Sequence, residues 1–261
     1  MALVVLLGMG PSAGGVSSGL LADGVPHSHP QDPAPPPRPE REPAPVVYLT
    51  FDDGPHPIHT PQVLEILAAY QIKATFFVVG DMVRRWPDPA RQIVEKGHAI
   101  QLHSWNHDTL TAFNRKQFTR DMNRTQTELL YATRTQGTCL RPPYGATNSK
   151  VEKWAKELGL AVELWDVSGN DWTDITAEGI ARRVLRGVAP GSVVLLHDGG
   201  GPRSRPVSAL DIIIPALLED GYRFGLLCPT NPLSVEPAVC AFSPAWPRMG
   251  TCDRYSAGSI Q

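Results

Sequence analysis

Two adjacent carboxylates, Asp52 and Asp53, end an apolar run and stand directly before Gly54-Pro55. The run reads as a buried strand, and the Gly-Pro pair stops it. Neighbouring side chains in an extended segment point in opposite directions, so the two acids can divide their work. One would hold a cation and the other would move a proton. Taken alone, the hexapeptide from Thr50 to Pro55 also fits a solvated turn.

Two histidines, His103 and His107, lie four positions apart. If this segment forms a helical turn, both imidazoles face the same side and can ligate one ion. Surface helices also carry such pairs by chance, so the spacing alone is compatible with a histidine pair that binds no metal. A carboxylate from Asp52 or Asp53 would complete a set of two histidines and one acid. That set leaves coordination positions for water and substrate, which is typical of hydrolytic metal sites.

A third cluster begins at Arg141, which follows an apolar run and precedes the stiff segment 142–145. The planar guanidinium suits a carboxylate, and we expect Asp52 to be its partner. The same contact would also satisfy a purely structural salt bridge. Arg141 could therefore orient a catalytic carboxylate, or it could form a structural salt bridge that caps the barrel.

His197 directly follows the apolar run 193–196, so it is a polar residue at the end of a buried strand. A lone histidine in that position is more often a core group than an acid. Asp171 changes this interpretation, because a carboxylate beside an imidazole raises its pKa and fixes its tautomer. We therefore predict a His–Asp pair that acts as a general acid. Three further histidines are assigned to turns and loops: His56, His59 and His98.

Each of these polar clusters follows one of seven strand-like runs. The runs cover residues 46–50, 74–79, 99–102, 138–140, 161–167, 192–196 and 222–227. Helical patterns lie between them, at residues 60–70, 118–129, 148–158, 176–188 and 210–217. This alternation predicts an α/β fold with a parallel sheet, either open and doubly wound or closed into a barrel. A barrel gathers all the polar strand ends on one face, so it is the better prediction.

The chain has 261 residues, of which 42% are hydrophobic, and a net charge of -2. It contains no basic run of the kind that binds nucleic acid and no apolar stretch long enough to span a bilayer. Residues 1–25 resemble a truncated or atypical secretory signal, or else a disordered tail. Residues 26–45 are rich in proline and predict an extended linker. We therefore expect export and a folded domain at residues 46–227.

Three of the four cysteines, Cys228, Cys240 and Cys252, lie in a C-terminal tail that we define as residues 228–261. The fourth, Cys139, lies in the body of the domain. In an exported protein this distribution predicts a disulfide that ties down the tail. The spacing does not choose among the full pairings, and it lacks the close pairs of a structural zinc site.

Five short motifs stand in a fixed order along the chain. They are TFDDGP at 50–55, HSWNH at 103–107, RPPYG at 141–145, DW at 171–172 and LLH at 195–197. By these motifs the chain resembles the polysaccharide deacetylases of carbohydrate esterase family four, which share the NodB homology domain. The resemblance covers about Val46 to Leu227, and it implies a distorted (β/α)7-type barrel of parallel strands.

The resemblance also implies a metal site and a base. A divalent metal, zinc or alternatively cobalt, would be held by Asp53, His103 and His107. Asp52 would be the catalytic base, and Arg141 would orient it. The two adjacent acids would then have the separate tasks that their position at a strand end suggests.

The resemblance further implies an acid and a substrate pocket. His197 would be the acid, and Asp171 would tune it. The backbone amide of Tyr144 would help hold the oxyanion. Trp172 and Leu195 would line the pocket for the acetyl methyl group.

One position departs from the family pattern. Relatives commonly carry a further Asp three residues before the Asp-Trp pair, where this chain has Ser168. The departure concerns the network around Asp171 and leaves every assigned metal ligand in place.

From the resemblance we predict N-deacetylation of glycans that contain N-acetylglucosamine, such as chitin oligomers or peptidoglycan. The same site could instead hydrolyse O-acetyl esters of xylan. A non-catalytic module that binds glycan or metal is an alternative of a different class. We expect a secreted or cell-wall-associated monomer whose partner is an N-acetylated glycan.

Overall fold

The computed structural model of the chain describes residues 44–229 and 231–232. The strands are β1 (Val46–Asp52), β2 (Thr75–Val78), β3 (Ala99–Leu102), β4 (Thr135–Gln136), β5 (Cys139–Leu140), β6 (Ala161–Val162), β7 (Val167–Ser168), β8 (Val193–His197), β9 (Arg223–Phe224) and β10 (Asn231–Pro232). The helices are α1 (His59–Ala69), α2 (Gly80–Arg85), α3 (Pro87–Glu95), α4 (Arg115–Thr133), α5 (Ser149–Glu157), α6 (Ala177–Gly187) and α7 (Ser204–Glu219).

Seven of the strands form one curled parallel sheet in the order β6, β5, β3, β2, β1, β8, β7. β9 adds to the first residues of β1. β2 and β3 are buried along their whole length, as strands of a parallel sheet covered by helices must be. The sheet is thus an incompletely closed (β/α)7-type barrel, which confirms the predicted fold class. Its parallel strands bring their carboxyl ends to one edge.

The predicted strand at residues 161–167 is wrong, because this stretch contains two short strands on opposite edges of the sheet. β6 pairs with β5, and β7 pairs with β8. Residues 163–166, which we call the crossing segment, pass from one edge to the other. Arg141 Nε and Nη2 donate to the carbonyl oxygens of Glu163 and Leu164 at 3.4 and 2.9 Å. A buried side chain therefore satisfies backbone groups that a neighbouring strand would otherwise bind.

The helices that periodicity predicts are present. Asn148 begins α5 by accepting hydrogen bonds from the backbone of Lys150 and Val151, and Thr176 caps α6 in the same way. α2 and α3 were not predicted, because they have six and nine residues and offer few turns of apolar repeat. No helix in the described ranges is long and apolar enough to cross a bilayer.

The C-terminal end of the described region is tied to the sheet. Cys228 forms a disulfide with Cys139 of β5, and Gln101 donates to the carbonyl oxygen of Cys228. β10 then pairs antiparallel with β4. The predicted tie between tail and domain thus occurs at Cys228. Cys240, Cys252, the signal segment and most of the linker lie outside the described residues.

Replacing Cys228 with serine is expected to lower the free energy of unfolding by about 2–4 kcal/mol. The bridge links positions 89 residues apart, so its loss frees a long loop in the unfolded chain. Chemical denaturation followed by circular dichroism measures the change. Wild-type protein treated with a thiol reductant should match the variant. An unchanged unfolding midpoint in both would show that the bridge does not form.

Candidate active site

Polar residues from separate segments meet in one cavity at the carboxyl edge of the sheet. The cavity has a volume of about 380 Å³, within the usual size range of ligand sites. Its lining residues are Asp52, Asp53, His103, His107, Tyr144, Trp165, Trp172, Leu195, His197 and Arg203. Eight of the ten predicted site residues are among them. The other two, Arg141 and Asp171, lie behind the lining and bind to it.

Asp53 and two histidines surround a point that suits a cation. Asp53 Oδ1 lies 3.3 Å from His103 Nε2 and 3.2 Å from His107 Nε2. All three ligand atoms lie within 4.8 Å of one another. Asp53 Oδ1 is buried and accepts no hydrogen bond from any residue that the structure describes. A buried carboxylate oxygen without a donor, facing two imidazole nitrogens, fits a divalent metal.

The tautomer of His103 favours this interpretation. Its Nδ1 lies 2.7 Å from the carbonyl oxygen of Arg141. A carbonyl oxygen can only accept, so Nδ1 carries the proton and Nε2 keeps its lone pair for a ligand. Contacts of this kind commonly orient a metal-binding histidine.

The predicted helical turn between His103 and His107 is wrong. Residues 103–108 form a loop after β3, and Ser104 and His107 both adopt φ = 63°. A left-handed conformation at two positions breaks the helical repeat. The loop still brings the two imidazole rings to 5.0 Å from each other. The pair can therefore share one ion without lying on a helix.

The surroundings of Asp53 favour its ionised form, and burial favours the neutral form of His107. Burial alone would raise the pKa of Asp53, but the neighbouring His103, His197 and His107 lower it to about 2. Burial lowers the pKa of His107. Near neutral pH the set is therefore one carboxylate with a neutral His107 beside it, as metal binding requires.

Asp52 is held apart from this set by Arg141. Arg141 is 0% exposed, and its Nη1 donates to Asp52 Oδ1 and to Thr50 Oγ1, each at 2.8 Å. The guanidinium also stacks 4.0 Å above the ring of Phe77. Asp52 Oδ2 remains and lies 3.8 Å from His103 Nε2. The contact is thus a buried ion pair that borders the cavity, with one carboxylate oxygen left for chemistry.

His197 and Asp171 form the predicted pair at the end of β8. His197 Nδ1 donates to Asp171 Oδ1 at 2.8 Å, and the backbone N–H of His197 donates to Asp171 Oδ2 at 2.9 Å. Burial would lower the pKa of His197, but the hydrogen bond and charge of Asp171, together with the charges of Asp52 and Asp53, outweigh it, so the pKa is raised. The ring is therefore fixed with Nε2 as its free nitrogen.

Two exposed aromatic side chains flank the cavity. Tyr144 is 69% exposed and meets His107 edge to face at 4.5 Å. Trp172 is 50% exposed and meets His197 edge to face at 5.4 Å. Leu195 is buried below them. Each exposed aromatic ring thus packs against one histidine of the site.

Sequence reasoning missed Asp198, which follows β8 and binds to the end of β1. Its backbone N–H donates to the carbonyl oxygen of Asp52 at 3.2 Å, and the hydroxyl of Thr60 donates to its Oδ2. Burial, together with the charges of Asp53 and Asp52, raises the pKa of Asp198 to about 7. An acid directly after His197 at a strand end was the available signal.

Two further lining residues, Trp165 and Arg203, were also missed. Trp165 belongs to the crossing segment, which the sequence assigned to a strand. Arg203 binds the carbonyl oxygen of Gly199 through Nε at 2.6 Å. Ser168, where the family commonly has Asp, forms a local turn in which it donates to Asn170 Oδ1 at 3.0 Å. The Asp171–His197 contacts are present beside this turn.

Comparison with known proteins gives a consistent result. Residues 40–162 match the family model described as polysaccharide deacetylase. A peptidoglycan-N-acetylglucosamine deacetylase of Bacillus cereus is 39% identical over 182 residues, which cover 69% of this chain and 84% of that protein. A chitooligosaccharide deacetylase of Sinorhizobium fredii is 37% identical over 190 residues, covering 69% and 88%.

A similar arrangement of elements exists in solved structures. The crystal structure of the Bc1960 peptidoglycan N-acetylglucosamine deacetylase superposes with a TM-score of 0.68 at 36% identity. The match covers 70% of this chain and 86% of that one. It therefore extends over most of the relative's structure.

Proposed function

Because this chain belongs to the polysaccharide deacetylase family, we propose that it hydrolyses N-acetyl groups of glycans that contain N-acetylglucosamine, such as chitin oligomers or peptidoglycan. The observation that carries the proposal is His197, which is bound to Asp171 and lines the same cavity as Asp52. An amide needs a proton on its leaving nitrogen more than an ester does, and this pair can supply one. The peptidoglycan and chitooligosaccharide deacetylases among the relatives support the same substrate class.

We propose that Asp53, His103 and His107 hold a divalent metal. One carboxylate and two imidazoles are a donor set that zinc accepts with a coordination position left open, and cobalt accepts the same atoms. The metal, when bound, would polarise the acetyl carbonyl and lower the pKa of water. Two observations support this assignment: Asp53 Oδ1 accepts no hydrogen bond from the residues that the structure describes, and His103 Nε2 carries a lone pair and faces it at 3.3 Å.

The protein's own groups account for the proton transfers. Asp52, held at Oδ1 by Arg141, takes a proton from the attacking water through its other oxygen. The oxygen of water then joins the acetyl carbon. The backbone N–H of Tyr144 would stabilise the negative oxygen that develops, a contribution of about 3 kcal/mol for one such donor. His197 gives its proton to the sugar nitrogen as the C–N bond breaks, which leaves acetate and a free amine.

Acetate release from chitopentaose, peptidoglycan and acetylxylan tests the proposal. We expect release from an N-acetylated glycan in the presence of zinc, and little from acetylxylan. Release from acetylxylan alone would identify an O-acetyl esterase. Metal-dependent binding of glycan with no acetate released would identify a non-catalytic module. Either of these two results would overturn the proposed amidase activity.

We also propose that the protein works outside the cytoplasm, secreted or associated with the cell wall. The Cys139–Cys228 disulfide supports this, because such bonds persist in oxidising compartments. We propose that a monomer suffices for activity, because the proposed metal ligands, base and acid are all brought together within a single fold.

A further inference from the structure

Asp198 is a buried acid that the proposed mechanism does not use. It is 0% exposed and directly follows the last residue of β8. Its Oδ1 is buried and accepts no hydrogen bond from the residues that the structure describes. The charges that act on it are the carboxylates of Asp52 and Asp53, and not a cation. A buried acid in such surroundings needs a physical reason for its place.

The turn beside Asp198 has an unusual backbone conformation. Asp53 adopts φ = 72°, a left-handed conformation that is costly for any residue other than glycine. In an extended strand, Asp52 and Asp53 would point to opposite faces. Both nevertheless line the active-site cavity. The left-handed turn therefore directs the Asp53 carboxylate to the same side as Asp52, and such a turn persists only where its surroundings hold it.

Asp198 contacts this turn on both sides of its left-handed residue. Its backbone N–H donates to the carbonyl oxygen of Asp52 at 3.2 Å. Its carboxyl group packs on Gly54, where an added Cβ would lie 2.5 Å from each oxygen. The hydroxyl of Thr60 donates to Oδ2 and itself accepts from the backbone N–H of His56 at 2.7 Å. Asp198 thus connects the first turn of α1 to the residues that flank the left-handed position.

The two glycines after Asp198 complete the contact with the turn. Gly199 packs against the carbonyl oxygen of Asp53 and Gly200 packs against its Oδ2, so an added Cβ at either glycine would collide with Asp53. Gly200 has φ = 70°, which glycine adopts without strain. Arg203 fixes this segment, because its Nε donates to the carbonyl oxygen of Gly199 at 2.6 Å. The left-handed turn therefore lies directly against residues 198–200.

We propose that Asp198 is a positioning residue, which holds the turn at Asp53 so that this carboxylate and Asp52 face one cavity. The inference rests on the proposed metal site and base. Asp198 does not line the cavity, so it has no part in the chemistry itself. Its carboxyl group acts through its size and through the hydrogen bond from Thr60. A negative charge is not required, because burial and two nearby carboxylates disfavour it.

The test measures zinc affinity by competition with a chelator, a measurement that does not depend on turnover. Asp198→Ala removes both the contact with Gly54 and the hydrogen bond from Thr60. We expect it to weaken zinc binding by about 10–100-fold, the usual effect of losing a group that orients a metal ligand. It should also lower kcat on chitopentaose. Asp198→Asn keeps the shape and the acceptor for Thr60, so it should bind zinc almost as tightly as the wild type.

A second variant keeps the test decisive if Asp198→Ala does not fold. Thr60→Val removes the hydroxyl that donates to Asp198 and should weaken zinc binding in the same direction. Its control is Thr60→Ser, which keeps the hydroxyl and should retain the wild-type affinity. Val151→Ala truncates a buried side chain of α5 that has no contact with the turn. It should lower the thermal unfolding midpoint and leave zinc affinity unchanged, which separates positioning from general stability.

The outcomes separate this inference from the proposed function. If the wild type binds zinc but releases no acetate from any glycan, the proposed function fails, and the zinc affinities of the variants still decide the inference. If folded Asp198→Ala and Thr60→Val match an active wild type in zinc affinity and kcat, the inference fails and the function stands. If Asp198→Asn loses as much zinc affinity as Asp198→Ala, the charge is required, and the inference is overturned.

Discussion

Replacing Asp52 with asparagine is expected to lower kcat for acetate release by about 10²–10⁴-fold, the usual contribution of a general base. Asparagine keeps an oxygen for Arg141 Nη1 but cannot take a proton from water. The metal should remain, because Asp52 is not among the three atoms gathered around Asp53 Oδ1. Steady-state rates on chitopentaose and the zinc content of the purified variant measure both effects.

Asp53→Asn is the matched control, because it makes the same chemical change at the neighbouring residue. That variant should lose metal and activity together. Removing the Asp52 charge leaves Arg141 buried without a carboxylate, which can cost about 3–5 kcal/mol of stability. Rates are therefore compared at temperatures where circular dichroism shows folded protein. Undiminished turnover by Asp52→Asn with zinc bound would rule Asp52 out as the base.

The site residues that lie at the carboxyl ends of strands could be predicted from the sequence. A polar residue after a buried strand has a fixed place in a parallel sheet, so Asp52 and His197 had to meet at one edge. Their register confirms this, since the two residues are paired between β1 and β8. The Asp52–Arg141 contact was predictable for a chemical reason, because a buried guanidinium needs a carboxylate.

The remainder depends on contacts that no local pattern records. Residues 163–166 look like a strand because they are flanked by apolar residues, yet their carbonyl groups bind the Arg141 side chain from another strand. The loop from His103 to His107 is left-handed at two residues that are not glycine, which spacing alone does not reveal. Asp198 matters only because Thr60 and Asp52 approach it from elsewhere in the chain.

Replacing His197 with glutamine is expected to lower kcat for N-deacetylation by about 10²–10⁴-fold, because the amine then departs without a proton donor. An aryl acetate provides the control, since its leaving group departs without a proton. The same variant should therefore lose much less activity on that ester. An equal loss on both substrates would show that His197 does not act as the acid.

Asp171→Asn tests the same residue through the pH dependence of the rate. As the proposed acid, His197 would act in its protonated form, so we expect activity to fall as the pH rises through its raised pKa. Asp171 raises that pKa, whereas burial lowers it. Removing the carboxylate leaves burial opposed only by the charges of Asp52 and Asp53, so the alkaline limb of kcat against pH should move to lower pH. Asp174→Asn alters an exposed acid three residues away and should leave the limb in place. A limb unmoved by Asp171→Asn would mean that another group supplies the proton.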